Sequence, residues 1–161
     1  MKIAVIYASK HGTTEKIAGL IADKLNEANE VELFSLKKVV NPDISLFDTV
    51  ILGASIYAGQ ASAKMKSFCQ TNESILAQKK TGLFVCGMHP DKEQQDKELK
   101  EAYTASLYEN AMATGFLGGE FLFEKFNFFE RMIVKKIAKT KNSVHQINQD
   151  AIDVFINKMK Q

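Results

Sequence analysis

The residues best suited by type and spacing to do chemistry are Ser9-Lys10-His11-Gly12-Thr13-Thr14, and that chemistry is the binding of an anion. They follow an apolar, β-branched run, Ile3-Ala4-Val5-Ile6-Tyr7. They precede a segment in which Ile17, Leu20, Ile21 and Leu25 share one helical face. A strand that ends in a short polar turn and opens a helix gathers unpaired backbone N–H groups at the positive end of the helix dipole. Ser9, Thr13 and Thr14 add hydroxyl donors, and Gly12 lets the backbone approach an anion with no Cβ in the way. Thr13 or Thr14 could equally serve as an ordinary helix cap. His11 is open between donating from its ring and pointing to solvent while its N–H binds.

The elements that position this loop read as a β/α alternation. Strand 1 covers about 2–8 and helix 1 about 13–28, followed by a short strand 2 over Val31-Glu32-Leu33-Phe34. Strand 3, Thr49 to Gly53, is an unbroken apolar run, as expected when helices cover both faces of a parallel sheet. It ends in a second loop of small residues, Ala54-Ser55-Ile56-Tyr57-Ala58-Gly59-Gln60, after which Ala61, Met65, Phe68 and Cys69 resume helical spacing. Strand 4, Gly82 to Cys86, stops at Gly87-Met88-His89-Pro90.

Beyond it lies a charge-rich helix whose Leu99, Tyr103 and Leu107 recur every fourth residue. Strand 5 falls within Ala113 to Phe123. An aromatic-rich helix covers about 124–139, with Leu122, Phe126, Phe129, Ile133 and Ile137 forming an inward stripe and Phe121, Phe128 and Met132 off it. A last helix covers about 146–159, with Ile147, Ala151, Val154 and Phe155 inward. The alternation gives an α/β fold, a doubly wound sheet of five parallel strands flanked by helices in three layers. Ligands bind such sheets outside the carboxyl ends of the strands. The loops 9–14, 54–60 and 86–90 all lie there, so one ligand can touch all three.

Composition narrows the ligand and the setting. A chain of 161 residues, 45% hydrophobic and 25% charged, suits one domain spanning 1–161. Two cysteines, Cys69 and Cys86, fit a reducing compartment, and with no signal-like segment the expectation is a cytoplasmic protein. Both thiols read as packed core groups. A net charge of +2 gives no global basic field, so nucleic acid is not an expected partner. Arg131 is the only arginine, which nearly removes bidentate recognition of phosphates or carboxylates. There is no G-x-G-x-x-G and no G-x-x-x-x-G-K-[ST], no acidic cluster for a phosphoacceptor, and no arginine soon after either cysteine for a phosphatase loop. No metal-ligand spacing appears.

The run Val5 to Ile21 resembles the flavodoxin signature at its strand residues, Ser9, Gly12, Thr14, Ala18 and the closing Ile21. That resemblance implies an FMN cofactor and a redox protein that transfers electrons through it. The 5′-phosphate would lie on Ser9, Lys10, His11, Gly12, Thr13 and Thr14. The ring would lie between Ala54, Ser55, Ile56, Tyr57, Ala58 and Gly59 on one side and Cys86, Gly87, Met88 and His89 on the other. Flavodoxins hold this phosphate largely with backbone N–H groups and hydroxyls. Tyr57 is the candidate to stack on the ring, or else a surface tyrosine over the next helix. His89 either lies near the pyrimidine edge or is an exposed loop residue.

A narrower similarity links Ile51 to Ile56 plus Gly59, and Gly118-Gly119-Glu120 through Ile137, to menaquinone-dependent protoporphyrinogen oxidases of the flavodoxin type. It implies a quinone acceptor and a porphyrin donor in haem biosynthesis, where a carrier would need only a redox partner protein. The second loop of that family usually carries an arginine, a tyrosine and a histidine; here Tyr57, Ala58 and Gln60 stand there. The aromatic and basic stretch 121–137 is a candidate for peripheral membrane contact. No acid–base catalyst is singled out, and the sequence leaves the oligomeric state open.

Overall fold

A computed structural model of the chain describes residues 1–121, 125, 127–132 and 144–161. Strands β1 (Lys2–Ala8), β2 (Glu30–Ser35), β3 (Thr49–Tyr57), β5 (Lys80–Cys86) and β6 (Ala113–Phe116) pair in parallel in the order β2-β1-β3-β5-β6. Counting these alone, the order is 2-1-3-4-5, in which the crossover direction reverses between β1 and β3 and opens a crevice at their carboxyl ends. The register aligns Ala8 with Ala54 and Ser55 with Cys86, so the three loops leave the sheet at one level.

Alternation along each central strand feeds two cores. Ala4, Ile6 and Ala8 of β1 join Val50, Leu52, Leu83 and Val85 under α2 (Ala63–Thr71), α4 (Lys92–Glu101) and α5 (Ala105–Asn110). Ile3, Val5 and Tyr7 join Ile51 and Phe84 under α1 (Thr13–Asn26) and α6 (Gln149–Met159), which contribute Ile17, Ile21, Leu25, Ile152 and Phe155. Each valine, leucine, isoleucine or phenylalanine among them contributes about 1.5–3 kcal/mol by leaving water. A short α3 (Glu73–Leu76) follows α2.

Several boundaries differ from the sequence reading. The charge-rich segment is two helices, because the chain bends at 102–104 and Thr104 caps α5 by accepting from the Leu107 N–H. Leu99, Tyr103 and Leu107 are buried together all the same. The Tyr103 hydroxyl lies 2.9 Å from the Leu52 carbonyl and 2.6 Å from that of Phe84, tying this segment to β3 and β5. Strand 5 is really two strands. β6 ends at Phe116, and after the buried Leu117 the chain turns at Gly118 (φ 77°) into β7 (Gly118–Phe121). β7 pairs antiparallel with β8 (Val144–Ile147), whose last two residues, Gln146 and Ile147, read as the start of the last helix. Asn148 caps α6 by accepting from the Ala151 N–H, so Ile147 belongs to a strand.

Two inward assignments fail. Val154 is more than half exposed, and Phe129 is 76% exposed rather than part of an inward stripe. Phe128 and Met132 are exposed, as their off-stripe positions suggested. Residues 128–132 are helical, while 133–139 of the expected aromatic helix, and Leu122 and Phe126, lie outside the described residues. No helix among the described residues is long and apolar enough to cross a membrane.

Candidate functional site

The carboxyl-end crevice is a half-open cleft of about 430 Å³, counting the space open to solvent. Residues from all three small-residue loops line it: Ser9, Lys10, His11, Thr13 and Thr14; Ser55, Ile56 and Tyr57; Cys86, Gly87 and Met88. A fourth segment, Gly119-Glu120, also lines it. The sequence reading missed this one because the glycines blurred strand 5. Yet the rule that placed the other three loops applies equally to the end of β6.

The first loop owes its shape to Gly12, whose φ of 96° makes it the left-handed N-cap of α1. Neither Thr13 nor Thr14 caps the helix, and Gly12 offers no side chain to do so. Ser9 instead accepts from the Gly12 N–H at 3.0 Å and holds the turn closed. The first-turn N–H groups of a 14-residue helix therefore face the cleft without a side-chain cap. Thr14 is 1% exposed, and its hydroxyl has no hydrogen-bond partner among the described residues. The neighbouring Cys86 thiol feels that hydroxyl without forming a well-aligned bond to it. A buried orphan hydroxyl beside free helix N–H groups fits an external oxyanion.

The second loop is shorter than its small residues suggested. β3 continues to Tyr57 and pairs back with β4 (Gln60–Ala61), leaving only Ala58 (φ 50°) and Gly59 (φ 74°) in the turn. Two successive positive φ values make a type I′ hairpin, whose twist suits the strands it joins. Ala54 is fully buried, and Ala58, Gly59 and Gly12 shape loops without lining the cleft. The Tyr57 ring does line it, with its hydroxyl buried and without a hydrogen-bond partner among the described residues. The Lys10 ammonium sits 3.6 Å from the centre of one Tyr57 face, and the His11 ring meets Tyr57 edge-on at 6.2 Å.

In the third loop, Gly87 packs against Phe116 and Ile56 so closely that a Cβ would fall 2.9 Å from the Phe116 ring. Its N–H donates to the Gly118 carbonyl at 3.0 Å, locking the loop to the start of β7. His89 does not line the cleft: its Nδ1 accepts from the Asp91 N–H at 3.1 Å, at the start of α4. Cys86 is buried and its thiol is pushed up to about 12 by desolvation, so it packs rather than reacts.

Charge at the mouth comes from the segment that begins at Asn127. Asn127 and Glu130 bond reciprocally, the Glu130 N–H to Asn127 Oδ1 at 2.9 Å and the Asn127 N–H to Glu130 Oε2 at 3.2 Å, which is a capping box. Glu130 Oε1 then pairs with Lys10 Nζ at 3.1 Å. Desolvation opposes ionisation of Glu130, but the bonds from Lys10 and the Asn127 N–H, with the nearby His11, prevail and hold its carboxyl below the usual range. His11 stands 3.6 Å from Glu130 Oε2. Burial lowers the His11 pKa despite that carboxylate, so the ring is neutral at pH 7 and the contact is not an ion pair. Among the described residues no cluster of three or more His, Cys, Asp or Glu could hold a metal ion.

A parallel 2-1-3-4-5 sheet with an uncapped helix N-terminus at its switch point is the flavodoxin-like form of the doubly wound α/β class, in which ligands bind at that point. The protein-family model that matches is the flavodoxin domain, over residues 4–148. The chain belongs to the flavodoxin domain family, and on that membership it is a flavoprotein that transfers electrons through FMN. Oxidised flavodoxin 2 from Bacillus cereus is 30% identical, with a TM-score of 0.54 over 74% of this chain and 82% of that one. A flavodoxin from Streptococcus pneumonia TIGR4 shares the fold across 99% of this chain and 98% of its own, at 18% identity and a TM-score of 0.57. Among curated proteins, protoporphyrinogen IX dehydrogenase [quinone] from Escherichia coli K12 is 19% identical over 86% of this chain and 80% of its own length. The protein of the same name from Leishmania major is 23% identical, and the match covers 62% of its length.

Proposed function

We propose that the cleft holds FMN with its phosphate on Ser9–Thr14 and its ring between Ser55–Tyr57 of the second loop and Cys86–Met88 of the third, and that the chain works as a small cytoplasmic electron carrier. The observation that supports this most is the uncapped N-terminus of α1 beside the buried, unpartnered Thr14 hydroxyl, at the meeting point of all three loops. The bound flavin supplies the redox chemistry, and the protein supplies binding, orientation and access.

The residues divide that work. The first-turn N–H groups of α1 and the hydroxyls of Thr13 and Thr14 receive the phosphate. Tyr57 offers a ring face for stacking, a contact of about 0.5–1.5 kcal/mol beyond its buried area. Lys10 covers one face of that ring, so a flavin stacking on that face would have to displace the Lys10 ammonium. The packing of Gly87 against Phe116 and Ile56 keeps the third loop thin where the ring would pass.

A second reading is quinone-linked protoporphyrinogen oxidation, favoured by the curated relatives and by the exposed Phe128, Phe129 and Met132 on the helical turn whose Glu130 pairs with the cleft-lining Lys10. An apolar surface there suits the approach of a lipid-soluble acceptor or a membrane face. Anaerobic mixing of the FMN-loaded protein with protoporphyrinogen, then with a quinone, separates the two. Bleaching of the flavin absorbance by the porphyrinogen and its return with quinone establishes the oxidase; an unchanged spectrum leaves the carrier.

A further inference from the structure

Glu120 is a cleft-lining carboxylate whose side chain is only 7% exposed, and no role was expected for it. It sits directly across the β7–β8 pair from His145. Its two hydrogen-bond partners among the described residues meet the same oxygen: Lys16 Nζ at 3.1 Å and His145 Nδ1 at 3.0 Å from Oε1. Oε2 carries no hydrogen bond among the described residues. Desolvation works against the charge, but the bonds from His145 and Lys16 outweigh it and keep the carboxyl below its usual range. At neutral pH the group is therefore ionised and can only accept.

Its position limits what it can accept from. Lys16 belongs to the first turns of α1, beside the phosphate loop, while the preceding Gly119 lies against Gly87 and Met88 of the third loop. Glu120 thus stands between the anion end and the ring end of the cleft. A phosphate oxygen would be repelled there, and an apolar ring edge would leave a carboxylate oxygen unsatisfied. Neutral hydroxyl groups on a chain joining the two ends satisfy it.

We propose that Glu120 Oε2 accepts a hydrogen bond from a hydroxyl of the polyol chain linking flavin ring to phosphate, an inference that rests on the FMN reading. Lys16 and His145 act as positioning residues that pin Oε1 and turn Oε2 inward.

The test compares two ligands on the apoprotein by quenching of flavin fluorescence: FMN, and a flavin phosphate whose linker is a plain pentyl chain. Glu120→Ala is expected to weaken FMN about 10- to 150-fold, the range for a hydrogen bond to a charged group. It should change the pentyl compound by no more than about twofold on the same grounds. Glu120→Gln preserves the shape and one acceptor, and its loss for FMN should fall between wild type and Glu120→Ala. Equal losses for both ligands would assign Glu120 a purely structural role and overturn the inference, as would undiminished FMN binding by both variants. Wild-type protein that binds neither flavin would overturn the FMN reading itself.

Discussion

Replacing Thr14 with valine should move stability and cofactor affinity in opposite directions. Thr14 is 1% exposed and its hydroxyl has no hydrogen-bond partner among the described residues. An unsatisfied buried hydroxyl costs about 1–3 kcal/mol, and valine fills the same volume without the polar atom. The apoprotein should gain about 1–2 kcal/mol, the lower part of that range because the Cys86 thiol gives the hydroxyl a weak neighbour. For a chain of this length that raises Tm by about 2–8 °C. If the hydroxyl donates to a phosphate oxygen, its loss removes a charge-assisted bond of about 1.5–3 kcal/mol, or roughly 10- to 150-fold in Kd. Thermal unfolding of the apoprotein and a fluorescence titration with FMN measure the two effects on the same sample. A valine variant that binds FMN as tightly as wild type refutes the assignment of Thr14 to the phosphate. A variant that is less stable without FMN shows that the hydroxyl has a partner inside the protein.

The remaining predictions concern the frame around the cleft. Gly118→Ala should unfold the protein or lower Tm severely, because a Cβ there would lie 2.0 Å from the Gln146 carbonyl oxygen, at a φ of 77°. A thermal melt within about 2 °C of wild type, the shift for at most about 1 kcal/mol, would refute that packing. Glu120 and Glu130 both have lowered pKa values in the fold, so their contribution to stability is complete above the ordinary glutamate range. It is lost as pH falls through their folded values. Acid unfolding should therefore steepen below about pH 4.3, and less so in a Glu120→Gln, Glu130→Gln double variant. Cys69 and Cys86, both buried and pushed up to about 12, should resist a thiol reagent at pH 8 in the native state and react fully after unfolding. Rapid native labelling of either would contradict their burial.

What the sequence made legible depended on how local the signal was. β1, its loop and α1 are contiguous, and their period change from two to 3.6 fixes strand, turn and helix within about 25 residues. The two further loops followed because small residues ended apolar runs at matching strand ends. The type I′ hairpin at Ala58-Gly59 was hidden, since its left-handed first position is filled by alanine rather than asparagine or aspartate. β8 was hidden for a different reason. Val144 to Ile147 gains strand character only by pairing with β7, a contact more than 20 residues away in sequence. Asn148 was the available sign, because a capping residue placed there separates β8 from α6. Glu120 could not be found from residue type alone, as its meaning comes from Lys16 and His145, which neighbour it only in the fold.

The central claim is that this cleft recognises a flavin through its phosphate at the start of α1. The direct measurement is the affinity of the apoprotein for FMN set against riboflavin, which is identical apart from the phosphate. Two or more charge-assisted bonds at that terminus, each of about 1.5–3 kcal/mol, predict FMN tighter by at least about 100-fold. Equal affinities, or binding of neither, would contradict the account.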